Sequence, residues 1–131
     1  MKLVIAIASA AVLSAGTAYA DCSYPTPPDH IPDGNTATLP EMVAAQKAVK
    51  DYDKAINAYV ACIQLERNGA VDKLAPKPGE KPTAEQKKAM DELERVEVQK
   101  HNAAIDQLQS IADRFNEQVK VYKAKNDKSK G

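Results

Sequence analysis

The chain has 131 residues, with 18 Lys+Arg against 18 Asp+Glu, two Cys, eight Pro, no Trp and one Phe. That length allows one small domain and excludes a multidomain enzyme, and the balanced charge makes no global case for nucleic acid as a partner. The shortage of aromatic residues, with only five Gly, argues against a β-sandwich or a nucleotide-binding α/β fold.

Residues 1–20 have the pattern of a Sec-type secretory signal peptide. Met1 and Lys2 form a short positive start, Leu3–Leu13 an apolar stretch, and Ala18-Tyr19-Ala20 a small-x-small cleavage site. The apolar stretch is too short for a comfortable membrane span. A retained N-terminal anchor is the alternative. A lipoprotein fits less well, because Asp21 precedes Cys22 where lipid modification wants a small neutral residue. Cleavage after Ala20 predicts a periplasmic or secreted protein beginning at Asp21, with 17 basic against 18 acidic residues, a net charge of −1. No later segment is apolar enough to cross a membrane.

Export gives the cysteine count a meaning. Cys22 and Cys62 are an even pair in an oxidising compartment, so an internal disulfide is the default expectation. Two free thiols or an intermolecular bridge are the alternatives. There is no Cys-x-x-Cys redox motif, and two His and two Cys spaced this widely do not make a zinc site.

Residues 21–37 read as an extended arm. Pro25, Pro27, Pro28 and Pro32 fix φ and remove donors, which favours polyproline II over helix. Asp33-Gly34-Asn35 is a turn signal. Thr38-Leu39-Pro40-Glu41 is a capping box that starts a first helix, with Pro tolerated in its first turn. No Pro or Gly follows until Gly69, and Asn68-Gly69 is a plausible stop, so the helix is expected over residues 39–68. Met42, Ala45, Val49, Tyr52, Ile56, Tyr59 and Ile63 alternate steps of three and four, a heptad seam.

Residues 69–83 read as a connector broken by Pro76, Pro78 and Pro82. A second capping box, Thr83-Ala84-Glu85-Gln86, opens a helix expected over 84–125. Its seam is Met90, Leu93, Ala104, Leu108, Ile111, Phe115, Val119 and Tyr122, interrupted by Glu97, Lys100 and His101. Residues 126–131 are expected to be a frayed Lys-rich tail.

The expected fold is therefore all-α. It is a long antiparallel helical hairpin, coiled-coil-like, over residues 38–125, with the Pro-rich arm stapled to it by one disulfide. The staple would close a loop of about 41 residues and contribute about 4 kcal/mol in the chain-entropy model. Cys62 lies about 35 Å up the first helix from Leu39, and the arm can extend about 50 Å, so the arm must run back along that helix. Ala44, Ala48, Ala55 and Ala58 lie on the flank that leads to Cys62, and are expected to form a shallow groove for Tyr24, the prolines and Ile31.

Cys22-x-x-Pro25, Pro28, Ile31-Pro32-Asp33-Gly34, Glu41-Met42, Val49-Lys50, Tyr52 and Tyr59-x-x-Cys62-Ile63 together resemble a family of small exported Gram-negative proteins of unknown function. The likeness covers about residues 22–66 and implies no activity. The overall shape is also similar to periplasmic helical chaperones, without their signature repeats.

Chemistry-bearing groups are sparse. His30 stands in the arm beside Asp29 and Asp33, and reads as a solvated turn histidine rather than a ligand. His101, with Glu97 four residues before it, reads as a helix-face pair. Asp51 and Asp53 point about 200° apart on a helix and cannot share a substrate. No nucleophile with a base, phosphate loop or carboxylate pair is legible, so no catalytic residue, metal or cofactor is expected.

Helix lengths carry the main functional expectation. If Asn68 pairs near Thr83, Leu39 lies opposite about Ala112, and residues 113–125 overhang by about 20 Å. Phe115, Val119 and Tyr122 would then form an uncovered apolar stripe, flanked by Lys120, Lys123 and Lys125. The expectation is a non-enzymatic exported helical protein that binds an unknown envelope protein, or itself, through this end. Weak binding of an anionic lipid or polymer surface by the Lys-rich end is one alternative, and an enzyme of unrecognised type another. Homodimerisation or early fraying of the helix would also account for the stripe.

Overall fold

A computed structural model describes residues 21–129; the expected signal peptide lies outside the described residues. Two helices, α1 (Leu39–Leu74) and α2 (Ala84–Lys128), form an antiparallel hairpin, and the extended arm is tied to α1 by the Cys22–Cys62 disulfide. Both capping boxes are made. The Thr38 hydroxyl accepts from the Glu41 amide while the Glu41 carboxylate accepts from the Thr38 amide, and Thr83 with Gln86 repeats the pattern.

α1 runs through Asn68-Gly69 and stops at Leu74, six residues past the expected end. An interior Gly costs only about 1 kcal/mol against Ala, and Ala70 and Leu74 keep an apolar stripe going beyond it. The effective breaker is Pro76, which has no amide to donate and pushes Ala75 into extended backbone (φ −57°, ψ 137°). The connector shrinks to residues 75–83. It turns at Lys77-Pro78-Gly79-Glu80, where the Glu80 amide donates to the Lys77 carbonyl at 2.9 Å. Gly79 takes φ +85°, as the third position of a type II turn requires after Pro. At the other end α2 continues to Lys128, so the first three residues of the expected tail are helical.

The longer α1 changes the register. Leu39 and Met42 now line one groove with Phe115, Val119 and Tyr122, not with Ala112 alone. Six extra residues in α1 carry its start about 9 Å further along α2. The supposed overhang is therefore largely covered.

Two clusters make the core. Tyr52, Ile56, Tyr59 and Ile63 of α1 pack with Ala104 and Ile111 of α2, and Ile56 is 0% exposed. Ala37, Met42 and Ala45 pack with Phe115, with Val119 and Tyr122 partly buried beside them. Ile31 of the arm touches both clusters. The expected α1 seam is thus the buried face, with Val49 half-buried. Burial of side chains this size contributes about 1.5–3 kcal/mol each.

Candidate functional site: the open end of the hairpin

The arm decides which surfaces remain open. At its start, Cys22 is bonded to Cys62 (Cα–Cα 5.8 Å), and the Cys22 amide donates to Glu66 Oε1 at 3.1 Å. Tyr24 meets Tyr59 edge-to-face with ring centroids 5.1 Å apart. Further on, His30 and Pro32 line a shallow pocket with Ala44, Ala45 and Ala48. The turn is held by the Asp33 carbonyl, which accepts from the Thr36 and Ala37 amides, and by Asp33 Oδ1, which accepts from the Asn35 amide. Gly34 crosses onto α2, its amide donating to Gln118 Oε1 at 2.9 Å. A Cβ on Gly34 would stand 2.2 Å from the Gln118 carbonyl oxygen and 2.7 Å from the Tyr122 nitrogen. This position needs glycine for close approach, not for an unusual φ.

Of the alanine flank expected from sequence, Ala44 and Ala48 line a pocket with His30 and Pro32 of the arm. Ala44 and Ala58 are exposed, whereas Ala48 and Ala55 are half-buried. The arm meets Ala44, Ala45 and Ala48 through His30 and Pro32, Tyr52 and Tyr59 through Tyr24, and Cys62 and Glu66 through Cys22. Tyr24 sits beside Tyr52 and Tyr59 and draws the arm's start toward the core. Burial pushes the Tyr52 phenol up to about 12, and the neighbouring Tyr24 hydroxyl adds to the rise. The Tyr52 hydroxyl is buried, with the Tyr24 hydroxyl beside it but no well-formed hydrogen bond. Burial raises the Tyr59 phenol as well, with Tyr24 and Glu66 adding to it.

The expected partner-binding stripe is corrected on the same grounds. Phe115 is 7% exposed and belongs to the core with Ala37, Met42 and Ala45. Val119 and Tyr122 are half-buried against α1 and the arm's turn. The sequence reading missed that the Asp33–Ala37 turn caps this end, and that α1 is longer. Lys120, Lys123 and Lys125 are exposed, but at 100° per residue they spread around α2. Lys120 faces Glu117 at 3.5 Å. They do not form one basic face.

The uncovered apolar surface is at the opposite end. Buried side chains stop at Ile63 on α1 and begin again only at Ala104 on α2. Between them, Ala70, Leu74, Ala89 and Leu93 line an open groove of about 610 Å³. It adjoins a second hollow, of about 170 Å³, where Ile63 and Val96 meet Arg67 and Glu97. Arg67 Nε is shielded there with no acceptor. Leu65 and Val98 nearby are 72% and 45% exposed. Among the described residues, the arm meets this end only at its rim, where Cys22 is bonded to Cys62 and its amide donates to Glu66. The rim carries Glu66, Lys73 and Glu92, and Arg95 chelates Glu92 from one turn on, which holds that carboxyl below its ordinary range.

The two histidines stay apart. His30 lines the pocket by Ala44 and Glu41. The Thr38 backbone amide and side chain, more than His30, hold the Glu41 carboxyl below its usual value. His101 Nδ1 lies 3.3 Å from Asn102 Oδ1. Among the described residues no three His, Cys, Asp or Glu side chains converge on a point where a metal ion would sit. No described helix is long and apolar enough to cross a membrane.

The open groove offers apolar contact with charges at its edge and no paired acid, base or nucleophile. It is suited to receiving an apolar surface of another molecule. No family model matches the chain, and no curated protein or solved structure is significantly similar to it.

Proposed function

We propose that this is an exported, periplasmic or secreted, non-enzymatic protein that works by binding another protein chain through the open end of its hairpin. One observation carries the reading. The arm and disulfide close one end of the molecule, while apolar side chains continue past the last buried residue at the other. An apolar groove rimmed by charge is the usual form of a protein-docking surface. The disulfide is compatible with an oxidising compartment. The resemblance over residues 22–66 to small exported Gram-negative proteins points the same way, but falls mainly on the arm and its bed.

A photo-crosslinking residue placed at Leu93 in cells is the direct test. Protein adducts should form there and not from the same probe at Lys128. They should disappear when Leu74 is changed to Asp. Equal labelling from both positions, or none from Leu93, would remove the open end as the working surface.

A further inference from the structure

We infer that the two maturation steps of this chain have a fixed order: hydrolysis of the Ala20–Asp21 peptide bond comes first, and oxidation of Cys22 with Cys62 follows. This rests on the reading of the chain as exported with cleavage after Ala20, and adds the order of events.

The argument is where the arm begins. Cys22 is only the second residue after the bond to be cut. In the folded chain it is held twice. Its sulfur is bonded to Cys62, with the two Cα atoms 5.8 Å apart, and its amide donates to Glu66 Oε1 at 3.1 Å. Two residues further on, Tyr24 meets the Tyr59 ring edge-to-face with centroids 5.1 Å apart. Tyr59, Cys62 and Glu66 all belong to α1, so the chain that leaves the cut site runs directly onto that helix. Asp21 is exposed, but Cys22 is already half-buried.

A peptidase takes its substrate as an extended strand, with residues on both sides of the scissile bond inside its cleft. Cleavage therefore needs backbone that is accessible and free to leave its hydrogen bonds. One extended residue spans at most about 3.6 Å, while α1 with its side chains is about 10–12 Å across. Once the bridge is closed, a cleft wall gripping Cys22 would have to occupy the space of α1. The amide bond to Glu66 and the tyrosine contact can open by thermal motion; the covalent bridge cannot. With both thiols free, Cys22 can lift off α1 and extend into a cleft.

Both steps balance as written. Water adds across the Ala20–Asp21 bond, leaving a carboxylate on Ala20 and an ammonium on Asp21. A disulfide oxidant then forms a mixed disulfide with one cysteine, and the second cysteine displaces it. Two protons and two electrons pass to the oxidant, which leaves as two thiols. In the reverse order the chain would be stapled while still joined to residues 1–20.

The test uses the full chain, residues 1–131, purified in oxidised and in reduced form and treated with a signal peptidase in detergent micelles. Products are read by mass. The reduced chain should lose residues 1–20, and the oxidised chain should be cut at least about tenfold more slowly, since the bridge removes the open population that the peptidase needs. Cys22→Ser with Cys62→Ser should be cut at one rate with and without reductant, which separates the bridge from any effect of reductant on the peptidase. A spacer of four Gly/Ser residues between Asp21 and Cys22 adds about 14 Å of reach and should restore cleavage of the oxidised chain. Equal rates for the oxidised and reduced chains overturn the order while leaving the cleavage reading intact, and an oxidised chain that stays resistant with the spacer overturns its stated cause. If the reduced chain is not cut after Ala20, the cleavage reading falls and the order falls with it.

Discussion

The two ends of the hairpin use the same kind of sequence and reach different states. Both have apolar residues at spacings of three and four, and both lie on helices opened by a Thr-x-x-Glu/Gln box. At the arm end the seam is buried, with Ile56 at 0% exposure. At the tip Leu74, Leu93 and Val96 are only half-buried. The difference is a third layer. Two helices leave each seam open on its flanks, and only where the arm lies across α1 is the flank closed. Heptad periodicity specifies which face is apolar; burial of that face depends on what covers it.

The strongest way to break this contrast is to release the arm. Cys22→Ser with Cys62→Ser opens a loop of sequence separation 40, and should cost about 4 kcal/mol in chemical denaturation. Amide exchange should quicken along the arm and over residues 48–66, and stay unchanged over 84–100. A cost below about 1 kcal/mol would mean that packing, not the bridge, holds the arm.

A matched pair of truncations sharpens the contrast further. Ile56→Ala removes a fully buried side chain and should cost about 3–4 kcal/mol, while Leu93→Ala at the bare end should cost less than about 1 kcal/mol in dilute protein. Equal costs would show the tip to be as well packed as the arm end.

The two glycines test the same division with smaller effects. Gly34→Ala forces a methyl against the backbone of α2 and should cost about 1–3 kcal/mol. Gly79→Ala meets no atom within 4 Å but keeps φ +85°, and should cost about 1 kcal/mol from backbone strain alone. Tm differences in that order would separate close approach from turn conformation.

The smallest effect concerns Tyr52. Its hydroxyl is buried without a well-formed hydrogen bond, so Tyr52→Phe should be neutral or stabilise by up to about 1 kcal/mol. The pH dependence has a defined sign. Unfolded, the phenol ionises near pH 10; folded, it holds its proton to about 12. Stability is therefore complete below pH 10 and falls as pH rises from about 10 to about 12, where the unfolded state loses its proton first. Tyr52→Phe should flatten that fall; the same slope in both proteins would place the alkaline sensitivity elsewhere.

Much of the fold was legible because its signals are local. Pro spacing excludes helix from the arm, the capping boxes fix both helix starts, and the seam from Met42 to Ile63 becomes the buried face of α1. An even cysteine pair within reach becomes the staple. What misled was nonlocal. Asn68-Gly69 has the composition of a helix stop, but a stop is made only if the chain leaves there, and the apolar stripe through Ala70 and Leu74 carries α1 on to the proline. Those six residues moved the register, and the register moved Phe115 from an exposed stripe into the core. Ala58 stays exposed while the arm's start centres on Tyr52 and Tyr59, because Tyr24 packs beside them, a contact between residues distant in sequence. Sequence alone determined the elements, their apolar faces and the cysteine pair, since each follows from backbone restriction and periodicity within a few residues. Only the tertiary structure decided which end is covered, because burial is a property of what a face meets, and that depends on lengths and crossings summed over the whole chain.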